Sequence, residues 1–324
     1  PRLGAKRVTT LPLGPLGYGV AQIGNLYREG TDENAIDAVA AAWDGGIRYF
    51  DTAPHYGLGL SERRLGMALA GRPRDEYVVS TKVGRELVPN PDWAGELDME
   101  NSFAVPANLM RKPSYDYEGI RRSLESSLER LQLDAVDIIY IHDPDAYDLH
   151  PMLDTALPAV EKLRAEGMVK AVGVGSKSVE ALMRGVTDAT LDIIMVAGRY
   201  TLLEQPAAEE LLPTCVERGV DVVLAAPFNS GILATSNPSE KARYEYGSVP
   251  AELLTKAQKI SDICLLHGVE LPAAALQFPL RHPAVVNVVA GASNRRQIEQ
   301  SISYMATDIP EQMWQELAAE SLLG

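Results

Sequence analysis

Four residues stand where proton chemistry could be carried out: Asp51, Tyr56, Lys82 and His142. Asp51 opens the run Asp51-Thr52-Ala53-Pro54-His55-Tyr56-Gly57 directly after the β-branched segment Ile47–Phe50. Lys82 follows Tyr77–Thr81, and His142-Asp143 follows Val136–Ile141. A free phenol titrates near about 10, so Tyr56 can exchange a proton at neutral pH only if that value is depressed. A lysine ammonium held beside it by an aspartate would do so, because a nearby cation favours phenolate. A neutral histidine could then orient a carbonyl or hydroxyl oxygen. Taken singly, each residue has a plainer role. An Asp after a strand caps a helix or forms a turn, a Lys or Tyr at a strand end packs or meets solvent, and one His among five is structural. The set has meaning only if three strand ends face one pocket.

The elements that would place them there alternate along the chain. Eight short runs read as strands: Leu16–Ala21, Ile47–Phe50, Tyr77–Thr81, Val136–Ile141, Val169–Val174, Leu191–Val196, Val220–Ala225 and Val285–Val289. Several are nearly continuous in Val and Ile, as in parallel strands buried on both faces. Between them lie stretches of helical length: Thr31–Asp44, Tyr117–Leu131, Pro151–Ala165, Val179–Val186, Pro206–Glu217, Pro250–Leu266 and Arg296–Tyr304. Ile120, Leu124, Leu128 and Leu131 share one face of the second. Gly45-Gly46, Gly167, Gly185 and Gly219 read as left-handed helix stops. Eight strand–helix units over 1–324 are the arithmetic of one α/β domain, a (β/α)8 TIM barrel, in preference to a doubly wound sheet. Arg85–Ser114, with Trp93, Phe103 and four prolines, and Asn229–Val249, with Tyr244 and Tyr246, break the rhythm. Both follow strands, so both read as long loops on the catalytic face. Arg7–Leu13 reads as a small hairpin closing the barrel bottom, and Pro310–Leu322 as a final outer helix.

Composition narrows the classes. With 30 Lys plus Arg against 44 Asp plus Glu, the net charge is −14. No basic surplus is available to neutralise phosphates or dock on an anionic membrane, so neither nucleic acid nor membrane is an expected partner. No run of about 18 apolar residues occurs. Cys215 and Cys264 lack metal-ligand spacing and are too few for a disulfide scaffold, which fits a reducing cytoplasm. His142-Asp143-Pro144-Asp145 has no second histidine at ligand spacing, so no metal is expected.

The run Phe50-Asp51-Thr52-Ala53-Pro54-His55-Tyr56-Gly57-Leu58-Gly59-Leu60-Ser61-Glu62, continuing to Leu65-Gly66, resembles the aldo-keto reductase signature. Ser80-Thr81-Lys82 and Asp137-Ile138-Ile139-Tyr140-Ile141-His142 follow in the family's order. The resemblance spans essentially the whole chain. It implies a (β/α)8 fold, a nicotinamide cofactor and the catalytic tetrad Asp51, Tyr56, Lys82 and His142. Gly57-x-Gly59-x-x-Glu62 is then a turn entering the second helix rather than a dinucleotide fingerprint.

The same resemblance places the adenosine end of the cofactor after the eighth strand, at Gly291, Ser293, Asn294 and Gln297. Relatives that prefer NADP carry Lys or Arg near Gly291–Ser293, where a 2′-phosphate needs charge-assisted bonds. Gly, Ala and Ser stand here, so NAD preference is expected, or dual use with NADP through Arg295 or Arg296. Three positions depart from the family pattern. Gly175-Ser176 replaces the usual Ser-Asn, Ala197 the usual Gln, and Ala225 the aromatic that stacks on nicotinamide. Ser176 remains a cofactor contact, Tyr200 or Phe228 would supply the stacking ring, and Asn229 and Gly231 follow in the same loop. The Ala197–Gln205 run is similar to the bacterial sugar-dehydrogenase branch, the L-fucose and D-threo-aldose 1-dehydrogenases, with pyridoxal 4-dehydrogenase a close relative. That implies a small-molecule substrate: an aldose oxidised at its anomeric hydroxyl, with His55 and Trp93 as candidate contacts. Pyridoxal oxidation and aldehyde or ketone reduction use the same tetrad. A non-catalytic cofactor-sensing subunit is the remote alternative, and a monomer or small homo-oligomer is expected.

Overall fold

Eight parallel strands close into a barrel in the computed structural model, which describes residues 10–245 and 247–323. In chain order the strands are β1 (Leu16–Gly19), β2 (Tyr49–Asp51), β3 (Val78–Val83), β4 (Arg85–Pro89), β5 (Leu109–Pro113), β6 (Ile138–His142), β7 (Ala171–Ser176), β8 (Ile193–Ala197), β9 (Asp221–Ala225), β10 (Arg243–Tyr244), β11 (Gly247–Ser248) and β12 (Val285–Gly291). The barrel runs β1-β12-β9-β8-β7-β6-β3-β2, and β4–β5 and β10–β11 are separate two-stranded additions. All eight strands expected from the sequence are the barrel strands.

Their side chains divide by period two. Tyr49, Val78, Ile138, Tyr140, Ala171, Ile193, Met195 and Val223 fill the barrel interior. The alternate set, including Phe50, Val79, Ile139, Val172, Ile194 and Leu224, packs outward into the core shared with the helices. Leu13 joins the interior cluster from below, with Leu11 against it, and Asn287 Nδ2 donates to the Leu13 and Gly14 carbonyls. The barrel bottom is thus plugged by an irregular segment: Thr10–Leu13 forms no strand, and Arg7–Thr9 lie outside the described residues.

The outer layer holds α1 (Asp32–Asp44), α2 (Leu60–Leu69), α3 (Tyr117–Leu131), α4 (Leu149–Ala165), α5 (Val179–Asp188), α6 (Leu211–Arg218), α7 (Ala251–Leu266), α8 (Leu271–Gln277), α9 (Arg295–Met305) and α10 (Glu311–Ala319). Thr31, Asp116, Ser178 and Asn294 accept from backbone N–H groups of the first turns they cap. Gly46, Gly167 and Gly219 take positive φ as expected at helix ends. Gly185 does not. It lies inside α5, where a Cβ would come 2.8 Å from Val174 Cγ2, so this glycine permits close helix–sheet packing. Cys215 and Cys264 are buried, and burial pushes both thiols up to about 12.

Two expectations about the catalytic face change. First, Asp51, Lys82, His142 and Ser176, expected just after their strands, lie within them: Asp51, His142 and Ser176 end β2, β6 and β7, and Lys82 is the penultimate residue of β3. Register holds them rigidly: Asp51 stands opposite Ser80, Lys82 opposite Tyr140, and His142 opposite Gly175. Second, Arg85–Ser114 is not structureless. Its ends form the antiparallel hairpin β4–β5, and Ser114 N donates to Gly84 O at 2.9 Å to close its base. In Asn229–Val249 only β10–β11 is regular, and Tyr246 lies outside the described residues.

Candidate active site

Tyr56 owes its position to two glycines. After β1 the chain leaves the sheet two residues earlier than expected and forms a tight turn, Val20–Gly24. Gly24 there lies against the Tyr56–Gly57 backbone. A Cβ on Gly57, whose φ is +62°, would come 2.2 Å from the Gly24 carbonyl oxygen, and a Cβ on Gly24 would come 2.9 Å from the Tyr56 carbonyl carbon. Any side chain at either site would displace the tyrosine.

The four sequence-selected residues meet around its ring. Lys82 Nζ donates to Asp51 Oδ2 at 2.7 Å and to the Thr52 carbonyl at 2.9 Å, and lies 4.7 Å from the Tyr56 ring centre. The His142 ring meets Tyr56 edge-on at 5.9 Å. His55 packs against Tyr56, His142 and Phe103, so one of the two proposed substrate contacts belongs to the cluster. Trp93 does not. It is exposed, and its indole N–H donates to Glu96 O in its own loop. The aromatic from this segment that reaches the site is Phe103, 6.3 Å from Tyr56.

Electrostatics agree with expectation for Lys82 and His142 and differ for Tyr56. Burial pulls the Lys82 pKa downward, but Asp51 and Tyr56 together outweigh it and hold the ammonium above the ordinary lysine value. Burial, then Arg85, Lys82, His55 and Arg111, push His142 well below the usual imidazole range, so it is neutral. Burial and the same cations take His55 down to about 2. Tyr56 is the exception. Burial raises its phenol above 10, Asp51 adds to the rise, and the opposing Lys82 does not cancel it. The ammonium acts in the expected direction, yet the free site keeps its tyrosine protonated.

Two arginines escaped the sequence reading. Arg85, first residue of the hairpin, donates to Asp143 Oδ2 at 3.0 Å and approaches His55 Nδ1 at 3.5 Å. Arg111, on the returning strand, clasps Asp98 with two bonds and donates to the His55 carbonyl. Both are nearly buried, and each leaves its Nε unpartnered. Asp143 itself carries φ +39°, a strained conformation of the kind that collects at functional sites. Arg85 comes two residues after Val83, the last residue of β3, so the rule that drew attention to Lys82 could have found it. Arg111 gave no such signal.

The expected cofactor residues separate into two groups. Asn229 is buried with Oδ1 unpartnered, in a loop where Ala226, Asn229, Ser230 and Gly231 all have positive φ, and Phe228 is half-buried beside it. Ser293 N donates to Gln297 Oε1, and Asn294 caps α9, whose N-terminus borders a cavity of about 320 Å³ that also touches Gln22, Thr31 and Arg64. Gly291 is exposed, with the Gln22 amide lying where a Cβ would project. Ser176 is buried and bonded to Asp145 at 2.5 Å. Tyr200 is a correction. It is buried with its ring against Phe278 and His282, at 5.2 and 5.7 Å, and cannot present a face to a nicotinamide. Gly198, at φ +67°, turns the chain so that Tyr200 enters the outer core. Among the described residues no group of three His, Cys, Asp or Glu gathers as a metal site, and no single helix is long and apolar enough to cross a membrane.

Comparison with known proteins reads the same architecture. The profile of the Aldo/keto reductase family matches residues 15–321. The chain belongs to the aldo/keto reductase family. It is 53% identical to a D-threo-aldose 1-dehydrogenase of Pseudomonas sp. over 97% of this chain and 95% of that protein. It is 35% identical to a pyridoxal 4-dehydrogenase of Microbacterium luteolum over 98% and 96%. Among solved structures, a glycerol dehydrogenase from Gluconobacter oxydans shares the fold with a TM-score of 0.76 at 23% identity, covering 97% of this chain and 92% of that one. The protein is therefore an oxidoreductase of this family, built on the family's barrel.

Proposed function

We propose that this aldo/keto reductase oxidises the anomeric hydroxyl of an aldose of the L-fucose, L-galactose or D-arabinose type to the lactone, with NAD preferred. The observation that carries the reading is the buried Lys82–Asp51 pair beside Tyr56, with a neutral His142 against the same ring. Identity of 53% with a D-threo-aldose 1-dehydrogenase supports the aldose over other alcohols.

Tyr56, as phenolate, takes the proton of the hydroxyl, the C1 hydride leaves the sugar, and the new C1 carbonyl is that of the lactone. Bound there, an oxidised nicotinamide would supply the hydride acceptor and a positive charge that adds to the ammonium's effect on the phenol. His142 orients the reacting oxygen. Arg85 donates and Asp143 accepts at the rim, a combination suited to adjacent sugar hydroxyls.

The chain has groups fit to hold a dinucleotide. The orphaned Asn229 oxygen, Phe228 and Gly231 lie in one loop, Ser176 closes β7, and the α9 N-terminus offers its unpaired N–H groups to an anion. Preference for NAD is supported by what surrounds Ser293. Arg295 is clasped by Asp37 and also bonded to Glu299, while exposed Arg296 carries whatever NADP use remains. The whole chain acts as one barrel, as a monomer or small homo-oligomer, and its acidity and buried thiols support a cytoplasmic setting.

One observation favours a second reading. A protonated Tyr56 is an acid, the form that carbonyl reduction requires, and a pyridoxal-type substrate would suit the same site. The test is cofactor absorbance with NAD or NADP against L-fucose, L-galactose, D-arabinose and pyridoxal. Reduction of NAD by a sugar supports the proposal. Activity with pyridoxal alone, or NADPH oxidation by aldehydes with silence toward every alcohol, replaces it with the second reading.

A further inference from the structure

A line of hydroxyls runs from the tetrad down into the barrel. Ser80 Oγ donates to Asp51 Oδ1 at 2.6 Å, Tyr49 OH lies 2.9 Å from Ser80 Oγ, and Tyr140 OH lies 3.1 Å from Tyr49 OH. The side chains of all three are buried. Their polarity is forced, because each hydroxyl has one proton. A carboxylate only accepts, so the Ser80 proton goes to Asp51. Ser80 must then accept from Tyr49, and Tyr49 from Tyr140. Burial keeps both phenols protonated, which the sequence of donations requires.

Aliphatic side chains would fill this space without hydroxyls, as barrel interiors usually are filled. Instead the fold makes room for the tyrosines. A Cβ on Gly17 would come 2.8 Å from the Tyr49 ring and 3.0 Å from Asn287 Oδ1. Three aligned O–H dipoles, positive ends toward Asp51, reinforce one another and offset part of that carboxylate's negative potential.

We propose that Ser80, Tyr49 and Tyr140 are positioning residues that set the proton affinity of Tyr56 by acting through Asp51 and its partner Lys82. This rests on the reading of Tyr56 as the proton-transfer group. Asp51 opposes ionisation of the phenol and Lys82 favours it. Donors that draw Asp51's charge away from the ring tip that balance toward phenolate. The other groups facing Tyr56 are His55 on its own loop and His142 and Asp143 at the end of β6, with hairpin residues Arg85 and Arg111 behind the histidines. Asp221 of β9 bears on the far member, Tyr140. None of these other groups facing Tyr56 hydrogen-bonds to a hydroxyl of the line.

The experiment compares Ser80→Ala, Tyr49→Phe and Tyr140→Phe with wild type and with Ser80→Thr, which keeps the hydroxyl. The first readout is the pH profile of kcat and KM for NAD-dependent oxidation of the best sugar. The second is the phenolate absorbance of NAD-loaded protein against pH, with Tyr56→Phe as blank. In Ser80→Ala both profiles should move about half a unit to one unit toward alkaline pH, a roughly three- to tenfold smaller phenolate fraction at neutral pH. Tyr49→Phe and Tyr140→Phe should shift the same way by successively less, Ser80→Thr should match wild type, and KM should change less than about twofold. A fall in kcat with both profiles unmoved would make the line structural only and overturn the proposal. Should Ser80→Ala fail to fold, the isosteric phenylalanine variants decide, and unmoved phenolate titrations in both overturn it. If wild type oxidises no sugar, the aldose reading fails while the titration still tests the hydroxyl line.

Discussion

Replacing Asp51 with asparagine asks how the site keeps a charged lysine inside the barrel. The side chains of Lys82 and Asp51 are 3% and 4% exposed, so the small value of surface ion pairs does not apply. Asparagine retains a carbonyl oxygen for Ser80 but removes the anion, leaving an uncompensated buried ammonium. Such a loss costs about 3–5 kcal/mol, a large part of the roughly 5–15 kcal/mol that a typical domain has in total. Without its partner, burial is the largest influence left on Lys82, so the lysine should tend to shed its proton and Tyr56 should lose its cation. The double variant Asp51→Asn/Lys82→Met carries neither charge. It should recover most of the lost stability, because neutral replacement of a buried pair is often near cost-free, yet remain inactive. Urea unfolding of the two single variants, the double variant and wild type gives the coupling directly, alongside kcat for each. If Asp51→Asn unfolds with wild type, or the double variant regains turnover as well as stability, the pair is not what charges the site.

Tyr56→Phe should lower kcat by about 10²–10⁴ while NAD affinity, read by fluorescence titration, stays within about twofold. Equal loss of both would mean that the ring serves binding instead. Arg85→Met should raise KM for the sugar about tenfold and change kcat much less, the mark of lost ground-state contact, and Michaelis kinetics across several aldoses would show it. Arg296→Ala should diminish NADP use and leave NAD use intact, whereas Asp37→Ala, by freeing Arg295, should increase it; ratios of kcat/KM for the two cofactors test both. Stability should fall on acidification. His142 is held neutral in the fold, so below about pH 6.5 the unfolded chain binds the extra proton and stability is lost as pH falls, by up to about 1.4 kcal/mol per unit. Urea midpoints at pH 5 and 7 should show the loss, and His142→Asn should reduce it.

The barrel was legible because its strands are apolar on both faces, so Val and Ile runs survive as a signal whatever the register. The tetrad was legible because such runs end in polar residues that a closed barrel must bring together. Helix α8 was not: Leu271-Pro-Ala-Ala-Ala-Leu-Gln is buried almost all round and shows no amphipathic period. The β4–β5 hairpin was hidden for another reason. Pro89 and Pro113 punctuate its strands, and between them lies a long stretch whose pairing depends on contacts distant in sequence, such as Leu26 with Phe103. Tyr200 shows the limit of position alone. It follows a strand end on the catalytic face, but a single turn at Gly198 sends it into the outer core. The state of Tyr56 was beyond a pairwise argument, since burial, which no local motif displays, exceeds the one cation beside it.

The hairpin's closed base has a bearing on how such an enzyme changes. Its two ends are held together by the β4–β5 ladder and closed at the base by the bond from Ser114 N to Gly84 O, just beyond Lys82 and just before α3. The barrel would therefore meet a short turn at that point much as it meets the present excursion, and the closure entropy of a longer or shorter replacement varies only slowly with length. Everything the excursion contributes to the mouth, Arg85, Phe103 and Arg111, travels with it. The tetrad does not: Asp51, Lys82 and His142 sit on barrel strands and Tyr56 on the turn after β2. If Arg85 meets the substrate as proposed, substrate range is an exchangeable part, transplantable between barrels as one piece, while the reaction belongs to the frame beneath it.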